Sequence, residues 1–348
     1  MSRVLLLGAF GYLTEKLDGQ TIKTRDIYRM LHENHKGTVD QFDTLKVKQT
    51  KNPFLLFVLF WRLLRANVVV IAPASHAMAT LYPVIYHLSF ILRYEIVMTC
   101  VGGWQVEFFL GGHGYTPHPK ELKISKKIKA FLPEMNNVNN YIVEHLGFKN
   151  SEVFPNFRYI PEFETNPNTK RPFKVVFMAR IDIKKGYDTV FSFAKFVRGK
   201  RLDVIIDFYG QLEPGNEQDF LDKLENNSDI VKYHGALNPA QIYSTLSGYD
   251  VLVLPTKYYT EGFPGSILDA YISGIPVVVT EWKHSHEFVK EGKTGFIVPF
   301  GENQIDFNEK LLELYNDSDK LCEMKRNAKV ESLKYSSSEA WRIISKYL

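Results

Sequence analysis

The chain has 348 residues, of which 45% are hydrophobic and 24% charged, enough for two globular domains of ordinary size. Its two cysteines, Cys100 and Cys322, are too few for a disulfide framework or a cysteine zinc site and fit a reducing cytosol. The net charge of +4 is uneven: residues 1–150 hold 18 Lys/Arg against 11 Asp/Glu, a surplus of +7, and the remainder sums to −3. A basic first half predicts an anionic partner such as a phosphate or a membrane surface, while the modest excess and the lack of any binding motif argue against nucleic acid.

Taken in order, Arg3–Leu7 reads as a buried first strand ending at Gly8, and not as a signal peptide. A loop from Gly11 to Gly19 leads into a helix over Gln20–Leu31. Strand-like runs follow at Val68–Ala72 and Glu95–Val101, with apolar helical stretches at Phe54–Leu64 and Leu81–Leu92. No run is long and apolar enough to predict a transmembrane helix. Residues 154–172, with four prolines and no helical period, read as a linker. Beyond it the alternation resumes: strand Lys174–Met178, helix Tyr187–Val197, strand Val204–Tyr209, helix Gln218–Asn226, strand Val251–Leu254. A helix to about Ser273 and a strand at Pro276–Thr280 complete the series. Strand–helix alternation on both sides of a linker predicts two α/β domains, each built on a parallel sheet.

The segment TEGFPGSILDAYISGIPVVVT, Thr260 to Thr280, carries chemistry. Proline is favoured at a helix start, so the helix is expected to begin at Pro264, with the free amides of Gly265 and Ser266 pointing outward. Those amides and the helix dipole make an anion site, and Gly262 and Gly265 let a ligand approach the backbone. Glu261 before the helix and Asp269 inside it can accept hydrogen bonds from hydroxyls. A ligand with a hydroxylated ring on each side of a diphosphate, as in a nucleotide sugar, would use both. The plainer alternative is a strand–loop–helix punctuated by Gly and Pro, with two solvated acids.

This segment resembles the EGFxxxxLEAxAxGxPVV signature of glycosyltransferase family 4, a family of retaining enzymes with the GT-B fold; Asp269 replaces the second Glu and is one methylene shorter. Independently, KVVFMARIDIKKGYDTV, residues 174–190, resembles the family's strand followed by GRLxxxKG, with Arg180 and Lys185 on the two cations. FYGQLEPG (208–215) is similar to the strand-end loop of the nucleotide site, with Gly210. VKYHGAL (231–237) is similar to the base-reading segment, with His234. HEFVKEGKTGFIVP (286–299) is similar to the family's tail motif.

The resemblance implies a GT-B α/β fold: two Rossmann-like domains with parallel sheets facing an interdomain cleft. The expected division is an acceptor-binding domain over 1–158, a nucleotide-sugar-binding domain over 172–334, and a C-terminal helix over 335–348 packing back on the first. It implies catalytic roles for Glu261, Arg180 and Lys185. Gly19, Gln20, Gly210, His234, Gly262, Phe263, Pro264, Gly265, Ser266 and Asp269 would bind the donor. Sugar transfer from a nucleotide-diphosphate sugar, with UDP the commonest base in the family, to an acceptor hydroxyl would retain anomeric configuration. The departing phosphate would take the acceptor proton, and no metal or other cofactor is expected. A sugar-nucleotide epimerase or hydrolase, or a non-catalytic nucleotide-sugar-binding partner, is the alternative.

The first half departs from the family pattern. Leu17, Asp18, Gly19 and Gln20 stand where a glycine pair is usual, and an N-cap by Asp18 explains them as well as a diphosphate contact does. The histidine expected after the middle strand is replaced by Val101, Gly102 and Gly103; His113 lies further along as a candidate or a solvated loop residue. This divergence resembles bacterial enzymes of capsular and exopolysaccharide assembly, implying a glycan or lipid-linked glycan acceptor and a cytoplasmic protein, peripheral on the inner face of the plasma membrane. Two segments bear on membrane contact: KELKISKKIKAFL (120–132), read as a basic amphipathic helix with Ile124, Ile128, Phe131 and Leu132 on one face, and FLLFVLFWRLLR (54–65). An ordinary core helix and a solvated lysine face are their alternatives.

Overall fold

A computed structural model describes residues 2–13, 19–165, 172–301 and 304–348. The chain divides into two compact units, residues 1–159 with 335–348 and residues 160–334.

The first unit is built on a five-stranded sheet in the order β2-β1-β3-β4-β5. The strands are β1 (Arg3–Gly8), β2 (Thr38–Asp43), β3 (Val68–Ala72), β4 (Glu95–Thr99) and β5 (Ala130–Leu132). All pairs are parallel. Runs such as VLLL and VVVI lie fully inside because helices cover both faces. The step from β1 to β2 runs opposite to the steps β2 to β3, β3 to β4 and β4 to β5. With right-handed crossovers, helix Gly19–Asn34 therefore covers one face. Helices Phe54–Leu63, Ser75–Leu92 and Pro119–Ser125 share the other. Helix Ser337–Ile344 packs on helix Gly19–Asn34 and adds Ala340 and Ile344 to the core around Val4, Leu6, Ile27 and Val70. Lys346 and the Tyr347 hydroxyl both bond the Glu152 carboxylate, at 2.5 and 2.6 Å.

The second unit has a six-stranded sheet in the order β11-β10-β9-β6-β7-β8. Its strands are β6 (Phe173–Met178), β7 (Val204–Tyr209), β8 (Val231–Tyr233), β9 (Val251–Leu254), β10 (Val277–Thr280) and β11 (Gly295–Val298). From β6 the chain winds one way to β8, then returns to pair β9 beside β6 and winds the other way to β11. The order reverses between β6 and β9, and ligands of open α/β sheets bind outside the carboxyl ends of strands at such a switch.

Two expectations change. Residues 154–172 do not form a linker throughout: Phe154 and Phe157 are fully buried in the first unit's core and Arg158 donates its amide to the Tyr335 carbonyl at 3.0 Å. The 120–132 stretch is not one amphipathic helix. The helix ends at Ser125, the chain turns over Lys126–Lys129, and Ala130–Leu132 joins the sheet beside β4. Ile124, Ile128, Phe131 and Leu132 do turn inward, but into the core of the unit. Helical spacing alone could not register the strand pairing that claims the last three residues.

Candidate functional site

The candidate site is built on the loops that leave β6 and β9, the neighbours at the switch. After β6, Arg180 leads into a turn over Ile183–Lys185 that Asp182 caps by accepting the Lys184 amide at 3.0 Å. Gly186 follows at φ +84°, and a Cβ there would run into the carbonyl of Pro255, which follows β9. Only glycine lets these two loops touch. The contact is tied further by the Lys257 amide donating to the Lys184 carbonyl at 2.8 Å. Lys185 is thereby held against the β9 loop, and its ammonium donates to the carboxylate of Glu261. Both side chains are largely enclosed, at 16% and 14% exposure, so the pair is partly desolvated and strong enough to set their positions. Arg180 extends into solvent and pairs with Glu213, from the loop after β7, at 3.1 Å.

The loop after Glu261 delivers helix Gly265–Ile272. Pro264 stands one position earlier than expected: it is the N-cap, with extended ψ of 127°, and Gly265 is the first helical residue. Proline's fixed φ suits either position, and the turn out of the loop needs extended ψ at the cap. No side chain caps this helix, which leaves its first amides, Gly265 and Ser266, to meet an anion. Phe263 is buried with its ring stacked on Phe288 at 4.0 Å, so its side chain serves packing and only its backbone lines the loop. Asp269 is 6% exposed, one turn into the helix, with the Tyr243 hydroxyl 3.5 Å from its carboxylate. Gly274 closes the helix at φ +73°, where the chain turns into β10.

At the ends of β7 and β8 lies a second cluster. Gly210, at φ +147°, leaves room for the carbonyl of Ala179, which a Cβ would strike. His234 stacks on Tyr209 with centroids 4.8 Å apart and shares a 2.7 Å hydrogen bond with Asp207. Asp207 accepts a second bond from the Tyr249 hydroxyl at 2.8 Å, and Tyr249 lies 3.2 Å from the Tyr209 hydroxyl. Burial, then Tyr209 and Asp207, push the Tyr249 phenol far above its usual range, which keeps it a neutral donor. The histidine edge is thus fixed by a buried network that the sequence reading missed. One signal for it was present: a lone acid inside the apolar strand VIIDFY must be held by something.

The remaining candidates are in the first unit. Gly19 opens helix Gly19–Asn34 with open space where a Cβ would be, and the Gln20 side chain donates its Nε2 to the Ala72 carbonyl at 2.9 Å. Leu17 and Asp18, and so the capping reading, lie outside the described residues. His113 is 56% exposed at φ +50°, 4.0 Å from Glu107, and belongs to no wider cluster. The strand ends hold a buried pair instead. Lys23, with no exposed surface, donates to Glu134 at 2.9 Å and to the carbonyls of Cys100 at 3.1 Å and Phe154 at 3.3 Å. Glu134 also accepts the Gly102 amide at 2.9 Å.

Residues 160–331 match the family model described as Glycosyl transferases group 1. The capsular polysaccharide biosynthesis glycosyltransferase CapM of Staphylococcus aureus is 29% identical over 174 residues, 49% of this chain and 44% of that protein. The N,N'-diacetylbacillosaminyl-diphospho-undecaprenol alpha-1,3-N-acetylgalactosaminyltransferase of Campylobacter jejuni is 26% identical over 200 residues, 57% of this chain and 50% of that protein. The chain thus spans half or less of the length of these curated relatives. Among solved structures, Anabaena Alr3699/HepE in complex with UDP superposes with a TM-score of 0.74 at 18% identity, covering 99% of both chains. That likeness shows the fold, the GT-B pair of Rossmann-like units. Residues 160–331, within the second of the two parallel-sheet units of that fold, thus carry a group 1 glycosyl transferase domain.

Proposed function

We propose that the chain transfers a sugar from a nucleotide-diphosphate sugar, a UDP-sugar by preference, to an acceptor hydroxyl on a glycan or lipid-linked glycan in bacterial surface polysaccharide synthesis. The observation that carries the reading is the Lys185–Glu261 pair at the β6/β9 switch, beside an uncapped helix N-terminus and Arg180. UDP is favoured because it is the nucleotide bound in the HepE structure, the surface-polysaccharide setting because CapM carries it in its name, and a lipid-linked acceptor because the name of the Campylobacter enzyme includes diphospho-undecaprenol.

In this reaction the bond from the anomeric carbon to the diphosphate breaks and a bond to the acceptor oxygen forms, with retention. Arg180, Lys185 and the amides of Gly265 and Ser266 neutralise the charge that grows on the departing diphosphate, so no metal is required. The acceptor proton passes to that diphosphate. Lys185 already holds a carboxylate, so the diphosphate takes the place of Glu261 on the ammonium and frees Glu261 to accept from a donor-sugar hydroxyl. Asp269 receives the ribose hydroxyls, with Tyr243 at its side, and the edge fixed by His234 and Asp207 meets the base.

The test is a thermal-shift and transfer assay with UDP, GDP and ADP and their sugars, with chelator present. Wild type is expected to gain stability with uridine ligands by mass action. Arg180→Ala with Lys185→Ala is expected to lose that shift and about three orders of magnitude or more of transfer, while still unfolding in a cooperative transition without ligand. A chain that no nucleotide stabilises, or a double variant that still responds, overturns the reading.

A further inference from the structure

The helical layer on one face of the first sheet carries an apolar surface that nothing in the structure covers. Helix Phe54–Leu63 is apolar nearly all round, and such a helix is ordinarily interior. Here Leu59 and Leu63 alone are buried, while Phe54, Leu56, Phe57, Phe60, Trp61 and Leu64 are exposed, Phe57 at 64% and Trp61 at 50%. Positions 54, 57, 61 and 64 follow helical spacing and 56 and 60 flank them, so the exposed side chains form one continuous face. Helix Ser75–Leu92, on the same side of the sheet, exposes Val84, Phe90 and Ile91.

The charge along this stretch of chain has one sign. Between Asp43 and Glu95 the chain has no Asp or Glu and six Lys or Arg: Lys46, Lys48, Lys51, Arg62, Arg65 and Arg93. Arg65 lies over the Trp61 ring at 4.3 Å, the pairing of a cation with an amphipathic ring that suits a headgroup region. Next to Phe90, a groove of about 390 Å3 opens between helices Ser75–Leu92 and Pro119–Ser125, lined by Tyr86, His87, Ile124, Lys120, Lys123 and Lys127. No helix among the described residues is long and apolar enough to cross a membrane, so the face can lie on a bilayer but not span it.

We infer that the first unit docks on an anionic lipid bilayer through the exposed face of helix Phe54–Leu63 and the Val84, Phe90 and Ile91 end of helix Ser75–Leu92, with Lys120, Lys123 and Lys127 taking lipid phosphates. A protein partner would be expected to meet mixed charges beside such a patch; a stretch of chain whose only charges are cationic and whose aromatic side chains are exposed matches acidic headgroups over acyl chains. The Lys120–Lys127 segment contributes charge only, because its apolar residues are committed to the core. The inference deepens the lipid-linked acceptor reading and rests on it only for its purpose. Docking is measured without donor or acceptor, and nucleotide binding without lipid, so either can fail alone.

The experiment is co-sedimentation of the full chain with vesicles of phosphatidylcholine alone or with about a third phosphatidylglycerol. Three chains are compared: wild type, Phe57→Ser with Trp61→Ser, and Lys123→Glu with Lys127→Glu. Wild type is expected to pellet with the anionic vesicles at least about tenfold more than with neutral ones, less so as salt rises. Each double variant is expected to lose about tenfold of that binding while keeping its nucleotide thermal shift. A wild type that stays in the supernatant, or variants that pellet equally, overturns the inference. So does light scattering that finds a wild-type dimer which the Phe57→Ser, Trp61→Ser pair splits, since the face would then belong to a second copy.

Discussion

The two units solve the same problem, what to do with charge at the carboxyl ends of a parallel sheet, in opposite ways. In the first, Lys23 and Glu134 are sealed in and bonded to backbone on every side, so the strand ends are a finished structure. In the second, Arg180 pairs with Glu213 and Lys185 with Glu261, their only acid or base partners among the described residues, and a ligand can redistribute them. The lesson is that topology supplies a place for chemistry in both units, and that burial decides whether charge there is structural or reactive.

The largest expected effect comes from breaking the sealed pair. Glu134→Ala leaves the Lys23 ammonium buried without its carboxylate, a loss of about 3–5 kcal/mol. Calorimetry is expected to show the transition of the first unit lowered while uridine nucleotides still stabilise the second. A variant of wild-type stability would mean the first unit's charge is as free as the second's. Next is Asp207→Asn, which replaces the charged acceptor of the network behind His234. About 1–2 kcal/mol of second-unit stability should go, with weaker nucleotide binding in the same variant. Stability falling with affinity unmoved would make the network purely structural and sharpen the contrast. The smallest concerns Glu152. Burial opposes its ionisation, but the Lys346 ammonium and the Tyr347 hydroxyl outweigh burial and hold its carboxyl below the usual range. A depressed pKa contributes stability above the unfolded value and loses it as pH falls through the folded one. Acid should therefore raise hydrogen exchange over residues 337–347 by a few tenths of a kcal/mol, and Glu152→Gln should remove that pH dependence.

Much of the second unit was legible because its strands are short apolar runs between turn residues. Val204–Tyr209 and Val251–Leu254 have the bounds the pattern implies. The half-exposed edge strand Thr38–Asp43, with its polar TVDQFD, escaped for the converse reason, since neither alternation nor apolarity marks it. The candidate catalytic residues lay in two stretches that motif reading finds, around Arg180 and around Glu261. What no spacing conveys is that Lys185 and Glu261 bond each other, because that contact follows from β9 pairing beside β6 and from a glycine at 186. Likewise the exposed 54–64 face could not be told from a core helix by composition; only the layer packing shows which way its aromatics turn.

Helix Ser337–Ile344 belongs to the unit that the chain starts with, and the Arg158 amide meets the Tyr335 carbonyl where the path leaves and rejoins it. During synthesis the 160–334 unit therefore emerges whole while the earlier unit still lacks Ala340 and Ile344 from its core. The half made first is finished last. Until those residues clear the ribosome, the 54–64 aromatics sit on an incomplete scaffold, so a premature stop near residue 335 would injure the amino-terminal unit and leave the 160–334 unit with its own sheet intact.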